Sequence, residues 1–270
     1  MKVIDCFTYF NEDVVLDVRL NTLDEFVDYF VIVECAYEHQ GTKKKKNFNI
    51  DKFKKFENKI IYKFIDKMPD DFLEFQKKNH WWIENYQRNY ISNLLKFDKE
   101  DFIIISDLDE IPNLKNINLE LVLKKYKYIF FSQDFFYYKF NNQNLTFKKW
   151  PGSRGCQLKN LNSPQQLRNT KFPRKYEIIK RYLSNNYVVE NGGWHFSYIL
   201  KTDEILKKVK GFAHKEYNNS FFADKKKIEQ KIKDNQDIYD RGYIFRKYED
   251  GKLPDYISKN KEKFNEYLIE

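Results

Sequence analysis

The chain has 270 residues, of which 41% are hydrophobic and 18% aromatic, and it carries a formal net charge of +9. This composition excludes a disordered chain and is enough for one large domain or two small ones. The basic balance comes mostly from lysine. Because no arginine-rich patch or known nucleic-acid-binding module stands out, we expect no nucleic-acid partner.

The cysteines and the N-terminus bear on the compartment. Cys6 and Cys35 lie inside apolar runs, and an odd count of three without close spacing argues against disulfides and a cysteine zinc site. The first residues lack the long apolar stretch of a signal peptide, and no run of about 18 apolar residues predicts a membrane span. We therefore expect a cytoplasmic protein, and peripheral contact with a membrane surface stays open.

The first 130 residues alternate β-rich apolar runs with stretches of helical spacing. Near-continuous apolar runs indicate parallel strands that are covered on both faces, and the alternation predicts right-handed crossovers. The predicted strands are residues 3–10, 29–35, 60–64 and 102–106, and the predicted helices are 14–26, 53–56, 79–97 and 114–125.

The second half is less regular. Its predicted elements are a hairpin of 128–140 with 145–150, loops at 151–155 and 160–173, strands at 187–190 and 192–198, helices at 203–210 and 221–233, and a helical tail from 253. No internal repeat and no linker is visible, so we predict a single domain over residues 1–270.

The clearest local signal is SDLDEIP at 106–112. Asp107 and Asp109 follow a buried strand and can aim at one point in the crevice where open α/β sheets bind ligands. Carboxylate oxygens suit Mg²⁺ or Mn²⁺, which keeps positions open for diphosphate oxygens. Such a cation would neutralise the charge on a leaving nucleoside diphosphate. The alternative is an ordinary acidic loop that caps a helix.

The ends of the first two predicted strands carry further candidates for nucleotide binding. Neither a glycine-rich dinucleotide fingerprint nor a phosphate-binding loop is present. Tyr9 or Phe10 could stack on a base, or could belong to the core. Asn11, Glu12 and Glu34 are polar residues at strand ends, where they could bind a ribose or a base. For Glu34 the alternative is a solvated strand end.

The motif GGWHFSY at 192–198 supplies a candidate third metal ligand. Paired glycines let the backbone approach a ligand or bend tightly. His195 could complete the metal site or bind a phosphate, or could be a hydrogen-bonded core residue. His214 is the rival for this role.

Glu84 and Arg88 lie one helical turn apart in the predicted helix 79–97. We interpret Arg88 as a contact to the diphosphate that Glu84 orients. The alternative is a surface salt bridge.

These motifs together resemble glycosyltransferase family 17. The similarity spans about residues 3–215. The stretches that carry it are DCFTYFNEDVVLDVRLNTLDEFVDYFVIVE at 5–34, EHQGTKK at 38–44, FENKIIY at 56–62, ENYQRNYI at 84–91, DFIIISDLDEIP at 101–112 and GGWHFSY at 192–198.

The resemblance implies an α/β protein with a GT-A type, Rossmann-like nucleotide-diphospho-sugar transferase fold, with a mostly parallel central sheet and helices on both faces. It implies inverting transfer from UDP-N-acetylglucosamine or a similar UDP-sugar to a glycan hydroxyl. Asp107 and Asp109 take the metal role, with His195 as a metal or diphosphate contact. Residues 1–112 would bind the donor, and residues 113–270 would face the acceptor.

An inverting transfer needs one general base near the acceptor hydroxyl. We nominate Asp134, with Glu110 as the rival. Asp134 could also be a polar residue on a half-exposed strand.

The acceptor is inferred from a departure from the family pattern. Animal members of the family are anchored Golgi enzymes, whereas this chain starts almost at its first predicted strand. We therefore expect an oligosaccharide or lipid-linked glycan of a bacterial or viral surface rather than an N-glycan. Two alternatives from other classes are a metal-dependent phosphotransferase or nuclease, and a basic nucleic-acid-binding module.

Overall fold

The computed structural model describes residues 1–115, 117–172, 185–211, 224–248 and 252–269. In this part of the chain the strands form one sheet of eleven strands. They are β1 (Val3–Tyr9), β2 (Tyr29–Cys35), β3 (Ile60–Ile65), β4 (Phe102–Asp107), β5 (Glu110–Pro112), β6 (Tyr128–Tyr137), β7 (Asn142–Asn144), β8 (Lys149–Gln157), β9 (Asn186–Val189), β10 (Gly193–Ser197) and β11 (Phe245–Lys247).

The helices of the described residues are α1 (Asp13–Leu23), α2 (Phe72–Lys78), α3 (Trp82–Tyr90), α4 (Leu119–Lys125), α5 (Pro164–Asn169), α6 (Thr202–Gly211), α7 (Lys225–Lys233) and α8 (Asp255–Lys259). Short 3-10 helices cover Ile50–Lys59, Ile91–Leu94, Leu158–Asn160 and Asn265–Tyr267.

The first half of the sheet is parallel, in the order β3-β2-β1-β4. Each predicted strand of this half is confirmed to within one residue at either end. The crossovers contain α1 after β1, the first 3-10 helix after β2, and α2 with α3 after β3, because parallel neighbours need a long connection. The predicted α/β class with parallel central strands is confirmed.

The second half of the sheet is mixed. β8 pairs antiparallel with both β4 and β6, so the predicted hairpin of 128–140 is confirmed in outline. β6 also pairs in parallel with β9 and β10. Residues 151–155 lie within β8, and α5 lies within 160–173, so the prediction of loops at both places was wrong.

The core has a layer on each face of the parallel strands. Along β1, Phe7 packs with the buried residues of α1, whereas Cys6 packs with Ile83 of α3 on the other face. This alternation is the two-residue period of a strand, and it explains why helices cover both faces. Each fully buried large apolar side chain contributes about 1.5–3 kcal/mol of burial free energy.

One charged pair interrupts the layer beneath α1. Arg19 of α1 and Asp5 of β1 are both 0% exposed, and their nearest side-chain nitrogen and oxygen are 2.6 Å apart. Removing two charges from water is costly, so such a pair needs a reason beyond packing.

Two features relate to the expected compartment. Cys6, Cys35 and Cys156 are buried free thiols. Among the described helices, none combines the length and the apolar character that crossing a membrane requires.

Candidate active site

The acidic motif forms a tight turn at the carboxyl edge of the parallel strands. Asp107 is the last residue of β4, and Asp109 lies in the turn that leads into β5. β5 pairs antiparallel with β10. The backbone N–H of Phe196 donates a hydrogen bond to the carbonyl oxygen of Asp109 over 2.8 Å. The acidic motif and the GGWHFSY motif therefore form one structural unit.

The turn opens on a cavity of about 310 Å³. Its wall mixes carboxylates, cations and aromatic rings, which suits a ligand that has both charged groups and apolar faces. The residues of the predicted site that line this cavity are Tyr9, Phe10, Glu12, Glu84, Arg88, Asp107, Asp109 and His195.

Asp107 is held between two arginines. Its Oδ1 accepts a hydrogen bond from Arg88 Nη2 at 2.8 Å, and its Oδ2 accepts one from Arg168 Nη2 at 2.9 Å. Removal from bulk water would raise the pKa of the Asp107 carboxyl, but the charges of Arg168 and Arg88 outweigh it and hold the pKa well below its ordinary value. Asp107 is therefore ionised at neutral pH.

Arg88 is oriented by the partner that its helical spacing predicts. Its Nη2 also donates to Glu84 Oε1 at 2.7 Å, and its Nη1 donates to Gln165. Because Arg88 is almost fully buried and bound on both sides, its guanidinium presents a fixed positive charge to the cavity.

Glu110, the predicted rival base, is an anchor behind the turn. It is 0% exposed, and its two oxygens accept hydrogen bonds from Arg168 at 2.8 and 3.0 Å. Trp150 Nε1 donates to the same carboxylate at 2.7 Å. The structure does not place Glu110 on the described cavity wall, so it does not bring this carboxylate to an acceptor.

Asp109 faces the His195 imidazole and the Lys208 ammonium group inside the cavity. Its Oδ1 lies 3.5 Å from His195 Nε2, and its Oδ2 lies 3.7 Å from Lys208 Nζ. Burial would raise the pKa of Asp109, but His195 and Lys208 lower it further than burial raises it. Lys208 Nζ also lies 3.1 Å from Glu12 Oε1. Although burial favours the neutral amine, Glu12 and Asp109 raise the pKa of Lys208 above its ordinary value.

His195 is fixed by aromatic stacking. Its ring lies 4.7 Å from that of Phe135 with an interplanar angle of 12°, and 4.4 Å from that of Trp150. This packing directs Nε2 toward Asp109, while Nδ1 is buried without a hydrogen-bond partner in the described part of the chain. The rival, His214, lies outside the described residues.

Tyr9 and Phe10 line the cavity where β1 ends. The Tyr9 hydroxyl donates to Asp13 Oδ1 at 2.6 Å, so its ring is held in place. Lys44 Nζ lies 5.3 Å from the centroid of the Phe10 ring. Asn11 continues the chain between Phe10 and Glu12, and its backbone N–H donates to the Glu12 carboxylate at 3.1 Å.

Glu34 supports the cavity from behind. It is fully buried, and it accepts hydrogen bonds from the backbone N–H groups of Asn47 at 2.8 Å and Phe48 at 3.0 Å. It also pairs with Lys44, which lines the cavity. The structure therefore shows Glu34 fixing the 44–48 loop rather than facing the cavity.

Asp134, the predicted base, lies on the other face of the sheet. Successive strand residues point to opposite faces, and its neighbour Phe135 lines the site cavity. Asp134 instead lines a second cavity of about 860 Å³, where it contacts Lys149 Nζ at 2.9 Å and the Tyr248 hydroxyl at 3.0 Å. The structure does not bring Asp134 together with Asp109.

Two cations of the candidate site were not predicted from the sequence. Arg168 lies on α5, inside a polar stretch that was predicted as a loop. Lys208 lies on α6, where it is one of several lysines with the same local pattern. Neither position has a sequence signal that separates it from surface cations.

The expected divalent cation would need carboxylate or imidazole ligands from this cavity wall. The described residues contain no group of three or more His, Cys, Asp or Glu side chains placed to hold a metal by themselves. Asp107 and Asp109 are, however, ionised and line one cavity. Mg²⁺ is commonly held by one or two carboxylates while substrate phosphates and waters complete its shell. Because both oxygens of Asp107 accept hydrogen bonds from arginines, these two carboxylates would hold a cation only together with a diphosphate that supplies its remaining ligands.

The carboxyl edge of the parallel strands carries paired carboxylates, fixed cations and aromatic walls, and this edge is where open α/β sheets bind ligands. The chain belongs to glycosyltransferase family 17, whose family model matches residues 1–269. This match confirms the resemblance seen in its motifs.

Mammalian relatives share part of the chain. The chain is 28% identical over 120 residues to the β-1,4-mannosyl-glycoprotein 4-β-N-acetylglucosaminyltransferase of Homo sapiens. This match covers 41% of the chain and 22% of the human protein. The proteins of the same name from Rattus norvegicus and Mus musculus show the same identity and coverage. The matched segment thus spans about a fifth of the length of these relatives.

Proposed function

We propose that the protein transfers N-acetylglucosamine or a related sugar from a UDP-sugar to a glycan hydroxyl, with inversion, in surface-glycan synthesis. The family assignment and the names of the relatives support this substrate class. The observation that carries the proposal is the convergence of Asp107, Asp109, Arg88 and His195 on one cavity at the end of β4.

The proposal includes a GT-A type fold in a single domain. The parallel order β3-β2-β1-β4 with an acidic turn after β4 supports this fold. The donor-binding half would be about residues 1–112, and the half from about 113 onward would receive the acceptor.

The donor diphosphate would lie against the acidic turn. A divalent cation held by Asp107 and Asp109 would supply Lewis-acid neutralisation of the charge on the leaving UDP. Arg88 and Lys208 add fixed positive charge on the same wall, which favours the diphosphate without reorganisation during the reaction. His195 keeps the Asp109 carboxylate in place through the contact at 3.5 Å.

The nucleoside would occupy the end of the cavity next to β1. The rings of Tyr9 and Phe10 offer apolar faces to a base, and the Glu12 carboxylate offers an acceptor to a ribose hydroxyl. Asn11 adjoins both, whereas Glu34 contributes by holding the loop of Lys44.

The acceptor would be an oligosaccharide or a lipid-linked glycan. Its hydroxyl must lose a proton to a general base within hydrogen-bond reach. Asp134 can serve only an acceptor that enters from the second cavity, because it lies on the opposite face of β6 from Phe135.

A screen of nucleotide-sugars tests the proposal. UDP-, GDP- and CMP-sugars are compared by thermal shift with and without Mn²⁺, and UDP release is measured in the presence of glycan acceptors. A UDP-sugar that stabilises the protein and releases UDP is the expected result. Stabilisation by a phosphorylated acceptor with no UDP release would favour the phosphotransferase alternative.

Asp109→Asn should lower UDP release by about 10²-fold or more, because it removes one of the two carboxylates that would hold the cation on the donor diphosphate. The variant should stay folded at the assay temperature, although it loses the ion pair between Asp109 and Lys208. Asp51→Asn, at an exposed position, is the control that should keep full activity. Full activity of Asp109→Asn in excess chelator would contradict the proposed role.

A further inference from the structure

Arg19 donates hydrogen bonds to backbone carbonyl oxygens of the acidic turn. Its Nη1 lies 3.1 Å from the carbonyl oxygen of Asp107, 3.0 Å from that of Leu108 and 2.6 Å from that of Glu110. The remaining carbonyl of the turn, that of Asp109, accepts the Phe196 N–H. Every carbonyl oxygen from 107 to 110 thus has a donor.

The guanidinium of Arg19 is itself fixed on its other edge. Its Nε donates to Asp5 Oδ2 at 2.7 Å, and its Nη2 donates to Asp5 Oδ1 at 2.6 Å. Its central carbon lies 4.4 Å from the centroid of the Phe7 ring. This bidentate pairing leaves the plane of the guanidinium no freedom, so Nη1 must point at the turn.

Packing alone does not account for this pair. Replacing a buried ion pair with apolar residues of similar volume is often neutral or stabilising, because desolvation opposes the Coulomb attraction. An apolar replacement would leave the carbonyl oxygens of Asp107 and Leu108 without this donor, while that of Glu110 would keep only Ser153 Oγ at 3.1 Å. The pair therefore makes its specific contribution at the turn.

We propose that Arg19, oriented by Asp5, is a positioning residue of the active site. It fixes the backbone of residues 107–110, so that the Asp107 and Asp109 side chains project into the cavity. Arg19 is fully buried and does not line the described cavity wall, so it acts through the turn. Its effect on turnover rests on the proposed function, whereas its effect on the turn does not.

Hydrogen–deuterium exchange of the unliganded protein tests the effect on the turn. Two variants are used, Arg19→Lys and the double variant Asp5→Leu with Arg19→Met, which removes both charges and guards against misfolding. Val18→Ala, buried on the same helix in the apolar layer, is the matched control. We expect amides 106–111 to exchange at least about tenfold faster in both Arg19 variants and at an unchanged rate in the control.

Turnover is then measured at a temperature where all variants are folded. Arg19→Lys should lower kcat for UDP release at least about tenfold, since small misplacements of reacting groups are costly, while Val18→Ala stays within about threefold. The proposal would be overturned if amides 106–111 exchanged at the wild-type rate in both Arg19 variants. It would also be overturned if Val18→Ala accelerated their exchange as much as the Arg19 variants do. If the wild-type protein releases UDP from no sugar donor, the proposed function fails, and the exchange result still decides the role of Arg19.

Discussion

At the scale of single residues, Arg168 binds the carboxylates of Asp107 and Glu110, which lie three positions apart. Its nitrogens lie 2.9 Å from Asp107 Oδ2 and 2.8 Å from Glu110 Oε2. Glu110 is fully buried, and its oxygens accept hydrogen bonds from this guanidinium and from Trp150 Nε1. A lysine could not reproduce the bidentate geometry.

Arg168→Met should therefore lower the free energy of unfolding by about 3–5 kcal/mol, because it leaves a buried carboxylate without its charged partner. Lys159→Met removes an ion pair with Glu100 whose side chains are 42% and 46% exposed, and it should cost less than about 1 kcal/mol. Urea denaturation at neutral pH measures both. Equal losses in the two variants would show that Arg168 has no special role.

Asp134→Asn should change kcat for sugar transfer by less than about threefold, because a general base must lie within hydrogen-bond reach of the reacting hydroxyl. Asp134 opens on the cavity opposite the one that holds Asp109. Steady-state kinetics with saturating donor measures the effect. A fall of about 10²-fold with donor binding intact would instead restore Asp134 as the base and place the acceptor in the second cavity.

The aspartates could be predicted from sequence because their signal is local: two carboxylates, two positions apart, after a buried strand. Arg168 could not, because its contact with Asp107 joins positions 61 residues apart. Glu110 looked like a free carboxylate for the same reason, since the partners that occupy it, Arg168 and Trp150, come from distant elements.

At the scale of elements, the pairing of β10 with β5 sets the position of His195. Gly193, its first residue, has φ of 120°, and an added Cβ would lie 2.0 Å from the carbonyl oxygen of Ile111. The glycine thus lets β10 approach β5 closely enough to pair with it. The distance from His195 to Asp109 depends on this approach.

Gly193→Ala should cost more than about 2 kcal/mol and also reduce UDP release, because β10 must move away from β5. Gly242→Ala is the control: Gly242 has φ of 74° with nothing within 4 Å of an added Cβ, so only backbone strain of about 1 kcal/mol is expected. Thermal denaturation and activity assays compare the two. A Gly193→Ala protein with wild-type activity would separate β10 packing from the site.

The elements of the first half were predictable because their apolar runs carry an unambiguous strand signal. β8 was not, because Pro151 and Gly152 interrupt its sequence as a loop would. Tertiary contacts override that local signal. Gly152 packs against Gln133 and Gly155 against Phe102, so these glycines admit neighbouring side chains rather than turns.

At the scale of the whole molecule, the two aspartates of the site make the free energy of unfolding depend on pH in the acidic range. The pKa values of Asp107 and Asp109 are both lowered on folding. A carboxyl whose pKa is lowered contributes stability above its unfolded pKa, and the contribution is lost as pH falls through the folded pKa. The native protein therefore binds fewer protons here than the unfolded chain does.

We expect the free energy of unfolding to lose this contribution progressively below about pH 4, the unfolded pKa of aspartate, and to keep it fully above about pH 5. Asp107→Asn should make the acid limb of the stability curve shallower, whereas Asp51→Asn, at an exposed position, should not. Urea titrations at several acidic pH values measure the slopes. Identical acid limbs in Asp107→Asn and the wild type would contradict the assignment.

The contact between Lys208 and Glu12 joins positions 196 residues apart. During synthesis on the ribosome, the first half can emerge with its parallel strands long before Lys208 is made. Closing so long a loop carries an entropic cost that rises with its length, so this contact forms late. A nascent chain would thus carry the acidic motif without its lysine until α6 has docked against the first half.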